Sequence, residues 1–416
     1  MENSENSEIK VAIVGAGAAG LTAAEALRKK GYKHITVFER SDRAGGKCST
    51  VEIEGKLYEL GAGVISSANE LVLRLAKEFN VPLKQANFGG SMLVNPKTGE
   101  SLPKETLAQK FKLFRQVFFK YRKLSKKYQS VAEPGLTHIP SELATPFNEW
   151  AKEQNIEYLA DYLAPFFTGY GYGYFEDISA AYVLKYYSWA IVQGFVRKQM
   201  FTFPEGIQHL WTAVSEKHNV RYNSTIEYID RTDGVTLTVN GEKLEFDKLI
   251  ITSPLDEALE VLDASKLEEE LFSKIQYIDY RTYACEVEGI PKMSGYLPGN
   301  YESDQMGQPV FWYNRHVDTN VYTFYIVGDW KLTDEHALEN ISTLIEKMGG
   351  KMTGVHMNVH WKYFAHVSPQ EMKDGYFDTL EGMQGKQNTF YAGELLNFST
   401  VGLTSAYAEQ LVGSYF

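Results

Sequence analysis

Three observations predict an α/β fold for this 416-residue chain. An apolar run passes through closely spaced glycines into an alanine-rich helix, segments with Asp-Gly and Asn-Gly turns read as antiparallel strands, and a Tyr-Ala-Gly-Glu turn precedes a last helix. The first is the most specific. Residues 11–14 enter Gly15-x-Gly17-x-x-Gly20, with Ala18 and Ala19 inside the motif, and residues 35–38 form a second strand ending on Glu39. Gly15 permits the tight turn, Gly17 lets backbone approach a pyrophosphate, and Gly20 lets the helix pack closely on the strand. The helix start offers unpaired N–H groups and the positive end of its dipole to a diphosphate, while Glu39 is placed to accept ribose hydroxyls. Strand, glycines, helix and acid together indicate a Rossmann-type dinucleotide site rather than a structural glycine turn.

After Glu39 come Arg40 and the run Ala44-Gly45-Gly46-Lys47. This extension resembles the E-R-x-x-x-x-G-G-[RK] pattern of flavoproteins of the amine oxidase and protoporphyrinogen oxidase superfamily, which implies FAD as cofactor. Residues 57–64 bring another strand followed by Gly61, Ala62 and Gly63, whose backbone is expected against the isoalloxazine, and a helix is predicted over 70–80. Far along the chain, residues 390–394 end in Gly393-Glu394 before a helix over 402–415, again suited to close approach to a diphosphate or ribityl chain. Ile226 and Val401 complete the expected cofactor set. Both chain ends then build one site, giving a discontinuous FAD-binding domain (8–90, 200–255 and 355–416), a helical cap (91–199) and an antiparallel-sheet substrate domain (256–354).

The composition excludes several classes. A net charge of −11 argues against nucleic acid as a partner of the whole surface. Two cysteines, Cys48 and Cys285, cannot form a disulfide framework, so a reducing, cytoplasmic setting is expected. The polar, acidic first residues lack the pattern of a secretory signal, and no apolar run approaches the ~20 residues of a spanning helix. His356 and His360 lie four apart in a predicted strand, where the spacing separates them by roughly 13 Å, so no metal site is expected. No Gly-x-Ser-x-Gly elbow is present, and neither cysteine lies near the Gly-Glu turn, so the flavin is expected to be non-covalent and to carry the chemistry.

Residues 104–128 are predicted helical, with nine basic residues against the single acid Glu105. Phe111, Phe114, Phe118, Tyr121 and Tyr128 are expected on or near one face. The readings are a cap helix whose aromatics join the core, a peripheral contact with an anionic membrane surface, or a guide that leads an anionic amphiphile inward. Residues 166–175 alternate glycine and aromatic residues, suited to an aromatic-walled pocket or to core packing at a helix break.

Several segments, ERSDRAGGKC, GYGYFEDISAAYVLKY, SGYLPGN and YFAHVSPQEMKDGYFDTLEGMQGKQNTFYAGE, resemble the bacterial polyenoic fatty acid isomerases over essentially the whole of residues 9–416. In that family FAD takes a hydride from a bis-allylic carbon and returns it elsewhere on the same chain. The resemblance implies a substrate-binding set of Phe167, Tyr170 and Phe195, with Tyr170 standing where the family has phenylalanine. It also implies a carboxylate-anchoring arginine within 89–94, where this chain has none; Lys84, Lys97 or the basic helix are the expected replacements. A polyunsaturated fatty acid or similar apolar substrate is expected, with oxidation of an amine or unsaturated small molecule as the alternative. The latter lacks the Trp-Ser-Gly-Tyr-like segment that amine oxidases carry after Gly-Glu, since Asn397-Phe398-Ser399-Thr400 stands there. A flavin-bearing scaffold without turnover is the third reading.

Overall fold

The computed structural model describes residues 7–86 and 90–416. Its centre is a five-stranded parallel sheet in the order Thr389–Tyr391, Lys248–Ile251, Lys10–Val14, His34–Phe38, Asn219–Arg221. Helices cover such a sheet on both faces, so its inner strands are apolar without alternation. Val11, Ala12, Ile13, Leu249, Ile250 and Ile251 are all fully buried. The helix Ala18–Lys29 packs on this sheet and against the last helix, Val401–Tyr415, and the Tyr32 hydroxyl reaches the Phe416 carbonyl at 3.1 Å. Both ends of the chain therefore belong to one layer.

A six-stranded sheet stands beside it, in the order Lys351–His366, Gln276–Glu288, Val321–Gly328, Pro309–Tyr313, Ser294–Tyr296, Ser91–Leu93. It is antiparallel except for the last pair. A separate hairpin sheet, Ile226–Asp230, Val235–Val239 and Glu242–Phe246, turns at Gly234 and at Asn240-Gly241. Asn240 and Gly241 both have positive φ, as a two-residue type I′ turn requires. Helices Phe147–Glu153, Glu157–Phe167, Ala180–Tyr186 and Trp189–Val196 follow one another within the stretch expected as the cap.

Two sequence expectations change here. The divisions at 91 and 355 do not coincide with the sheets. Ser91–Leu93, assigned to the cap, adds an edge strand by parallel pairing with Ser294–Tyr296. The 16-residue strand Lys351–His366 runs across the expected boundary and pairs along Gln276–Glu288, so the substrate-side sheet reaches 366. The aromatic residues of 104–128 also do not share one face. The α-helix Leu107–Arg115 passes into a π-helical segment, Gln116–Tyr121, before Arg122–Lys127. Its i→i+5 bonding rotates the next turns of helix relative to the first. Tyr121 and Tyr128 are therefore buried while Phe111 and Phe114 stay exposed.

Candidate active site

At the C-terminal ends of the central strands the glycine loop is held by close contacts. A Cβ on Gly20 would lie 1.9 Å from the Gly15 carbonyl oxygen, and one on Gly15 would lie 2.7 Å from Thr252 Oγ1, so neither position accepts a side chain. Gly17 and Gly45 form a parallel bridge, and the Gly45 N–H donates to the Ala16 carbonyl at 2.9 Å, joining the two glycine turns. No side chain caps the helix that starts at Ala18, so Ala18, Ala19 and Gly20 begin an uncapped N-terminus beside these turns. The Glu39 carboxylate sits under the loop: Oε2 accepts from the Ala16 N–H at 2.8 Å and Oε1 from the Ser41 N–H at 2.9 Å. The strand-forming segment that carries Ile226 lies alongside, the Ser224 N–H donating to the Glu39 carbonyl at 2.9 Å. Gly393, with positive φ, meets Thr252 where the last sheet strand ends.

Lys47 closes the gap between the chain ends by an ion pair with Glu394, and its ammonium lies 5.4 Å from the centroid of Tyr363. Gly61, Ala62, Gly63 and Val401 stand with Lys47 in the wall of a cavity of about 1450 Å³, counting its open mouth. Arg40 is not part of this arrangement. Its guanidinium is turned to solvent and pairs with Glu257 at 3.1 Å. The basic residue that does knit the second glycine turn is Arg43, which donates to the Gly46 and Cys48 carbonyls at 2.9 and 3.2 Å. Arg43 and Thr252 were missed because nothing in their local sequence marks them.

The remainder of the cavity is aromatic. Five rings from the long sheet stack in series: Tyr363 on Tyr280 (5.3 Å), Tyr280 on Tyr325 (5.6 Å), Tyr325 on Phe311 (5.3 Å) and Phe311 on Tyr296 (4.7 Å). Neighbouring strands lie ~4.8 Å apart, so same-face aromatics stack across them, Phe311 with its register partners Tyr325 and Tyr296, and Tyr280 diagonally with Tyr325 and Tyr363, two residues from the positions it pairs with. Tyr170, packed edge-on against Phe311 at 5.6 Å, and Phe195 also line the cavity, and Phe166 bridges these two with ring centroids 5.9 and 5.6 Å away. The Tyr170 hydroxyl meets that of Tyr296 at 3.2 Å, and burial pushes its pKa up to about 12. This phenol is neutral at ordinary pH. Phe167 does not line the cavity: it is fully buried behind the wall, against Tyr172, Phe175 and Phe398. One step along the helix Glu157–Phe167 turns a side chain by ~100°, so Phe166 and Phe167 cannot share a face.

Two cations line the cavity among the described residues, Lys47 and Arg315. Arg315 lies 3.3 Å from the buried Glu59 carboxylate and donates to the Phe203 carbonyl at 3.1 Å. Glu59 also accepts from the Ile207 N–H and the Thr50 hydroxyl, while burial raises its pKa against these partners. Lys84 and Lys97 are exposed and outside the lining, and no residue of the basic helix reaches it. Of the window 89–94, Gly89 lies outside the described residues; Ser91 is in the wall. Cys48 and Cys285 are buried, each thiol pushed up to about 12 by desolvation, and neither lines the cavity. His360 donates from Nε2 to the Asp334 carboxylate at 2.7 Å, and no group of three or more His, Cys, Asp or Glu among the described residues is placed to hold a metal. No helix among them is long and apolar enough to cross a membrane.

The residues present fit a flavin dinucleotide. The glycine turns leave backbone where a Cβ would intrude, the adjoining helix start is uncapped, and the Ser399 hydroxyl in the cavity wall is buried without a partner. The model of the flavin-containing amine oxidoreductase family matches residues 18–401. The chain belongs to this family. It is a flavin-dependent enzyme with an α/β fold of the amine oxidase type. The structure is similar to that of a CLA-producing fatty acid isomerase from P. acnes, with a TM-score of 0.91 and 30% identity over 99% of both chains. Cyclohexylamine oxidase from Brevibacterium oxydans shares the fold, with a TM-score of 0.71 and 15% identity over 97% of this chain and 99% of that one. Among curated relatives, β-cyclopiazonate dehydrogenase of Aspergillus flavus is 26% identical over 97% of this chain and 93% of its own.

Proposed function

We propose that this family member binds FAD non-covalently and isomerises a polyunsaturated fatty acid or similar apolar substrate by internal hydride transfer. The observation that carries this reading is the stacked aromatic wall that shares one cavity with Lys47 and the Gly61–Gly63 backbone. FAD held there would supply hydride acceptance and return at N5, moving a hydride from a carbon between two double bonds to another carbon of the same chain with no net oxidation. Tyr170 and Phe195 flank the reacting carbons, and their ring faces favour positive charge developing there. The neutral Tyr170 phenol, held by Tyr296, offers a dipole without the reactivity of a phenolate. The ladder from Tyr296 to Tyr363 excludes water, and Arg315 replaces the expected anchor by meeting the substrate carboxylate. Glu39, the Ala18 helix start, and the turns at Gly15 and Gly45 take the dinucleotide end; Gly61 to Gly63, Val401 and Lys47 take the ring end.

Anaerobic incubation of the FAD-loaded protein with linoleic acid is expected to raise the conjugated-diene absorbance without consuming a second substrate. No diene, together with peroxide release on an amine panel in air, refutes the isomerase and supports oxidation. That second reading draws on the family and on relatives described as dehydrogenases.

A further inference from the structure

The basic segment of the cap presents a surface that the proposed reaction does not use. Leu107, Phe111 and Phe114 follow at i, i+4 and i+7 along one stripe of the helix Leu107–Arg115, and they are 86, 63 and 49% exposed. Phe119, 68% exposed within the π-helical segment, continues the patch, its ring 6.4 Å from that of Phe114. All nine basic residues between Lys104 and Lys127 are exposed, and Lys110 and Arg115 flank the stripe on either side. A solvated helix normally mixes signs, whereas this one carries a single acid on a chain whose net charge is −11. Exposed aromatics inside a ring of cations match a surface that is apolar within and anionic at its rim.

We propose that this face docks on an anionic lipid bilayer, with Leu107, Phe111, Phe114 and Phe119 entering the interface and the lysines and arginines meeting the headgroup phosphates. The patch continues towards the cavity. Phe114 stacks on Phe118 at 4.5 Å, Phe118 meets Trp189 at 5.9 Å, and Arg122 covers that indole at 5.6 Å. Trp189 begins the helix whose Ile191 and Phe195 line the cavity. Docking therefore sets the cap's route to the cavity against the phase in which a long-chain amphiphile dissolves. The docking test needs no turnover, so it stands or falls separately from the isomerase reading.

The flavin-loaded protein is floated with vesicles of phosphatidylglycerol and phosphatidylcholine, or of phosphatidylcholine alone, across a salt series. Binding is expected to the anionic vesicles, to weaken as salt rises, and to fall by about tenfold in partition coefficient for L107S/F111S/F119S, whose exposed positions leave the fold intact. Reversing Lys110, Arg115 and Lys123 to glutamate is expected to abolish the preference for anionic lipid. Absence of binding to anionic vesicles, or equal binding by the serine variant, overturns the proposal. So does a dimer in solution that the serine variant dissociates, which would make a second copy of the chain the occupant.

Discussion

Arg315→Gln separates a binding role from a structural one because the two leave different signatures. The side chain is nearly buried and holds two partners, Glu59 at 3.3 Å and the Phe203 carbonyl at 3.1 Å. Its loss leaves the Glu59 carboxylate with the Thr50 hydroxyl and the Ile207 amide but no cation, a change expected to cost about 3 kcal/mol of stability. A hydrogen bond to a charged group contributes ~1.5–3 kcal/mol, so losing the substrate carboxylate's partner lowers kcat/KM by about 10- to 100-fold. The comparison that isolates this second effect is the ratio of kcat/KM for linoleic acid to that for its methyl ester, measured anaerobically by diene absorbance. General loosening of the site affects both substrates, whereas loss of the carboxylate contact affects only the acid. The ratio is expected to fall by the stated factor in Arg315→Gln and to recover largely in Arg315→Lys, with stability followed by urea unfolding. An unchanged acid-to-ester ratio in a folded, flavin-loaded Arg315→Gln protein refutes the anchoring role.

Three further outcomes rest on the same geometry. Phe195→Ala removes a ring that meets Phe166 but none of the cradle residues, so turnover is expected to fall by roughly 100-fold while the flavin-to-protein absorbance ratio stays constant; a parallel loss of flavin would make the ring structural. Gly20→Ala places a Cβ 1.9 Å from the Gly15 oxygen where 3.4 Å is ordinary contact, so the helix start must shift, and flavin retention on gel filtration is expected to drop sharply. His366 is buried, its Nδ1–H donating to the Phe364 carbonyl at 2.7 Å, and desolvation lowers its pKa from 6.5 to about 4. The unfolded chain thus takes up a proton that the folded state refuses, so this group's stabilising contribution is full above pH 6.5 and is lost as pH falls towards 4, by ~3 kcal/mol. His366→Gln is expected to flatten the pH dependence of urea unfolding in that window, and an unaltered slope would contradict the shift.

The parts of the site that repeat a local rule were legible in the sequence. Gly15, Gly17 and Gly20 announce themselves because three glycines at fixed spacing have one backbone use, and Asn240-Gly241 because it sets a two-residue hairpin. Glu394 and Lys47 were each readable, but their pairing across the sheet was not. The stacked ladder was invisible for the same reason: Tyr280, Phe311 and Tyr325 come from three strands whose register exists only after folding. Arg315 gave no local signal, being one cation after an apolar strand. Phe167 lies behind the cavity wall because its helix packs it against Tyr172, Phe175 and Phe398, and the π-helical segment that parts the aromatic residues of 104–128 is not revealed by hydrophobic periodicity.

The order of the central sheet carries a consequence for how the protein is made. Its strands come from residues near 10, 36, 220, 250 and 390, and all pair in parallel. A ribosome adding ~5–20 residues per second delivers the strand that flanks Lys248–Ile251 and the Glu394 partner of Lys47 about 20–75 s after the glycine loop. Loop closure over such separations makes this pairing slow relative to local helix formation. Until Thr389–Tyr391 emerges, Lys248–Ile251 remains an unsealed parallel edge of the nascent sheet.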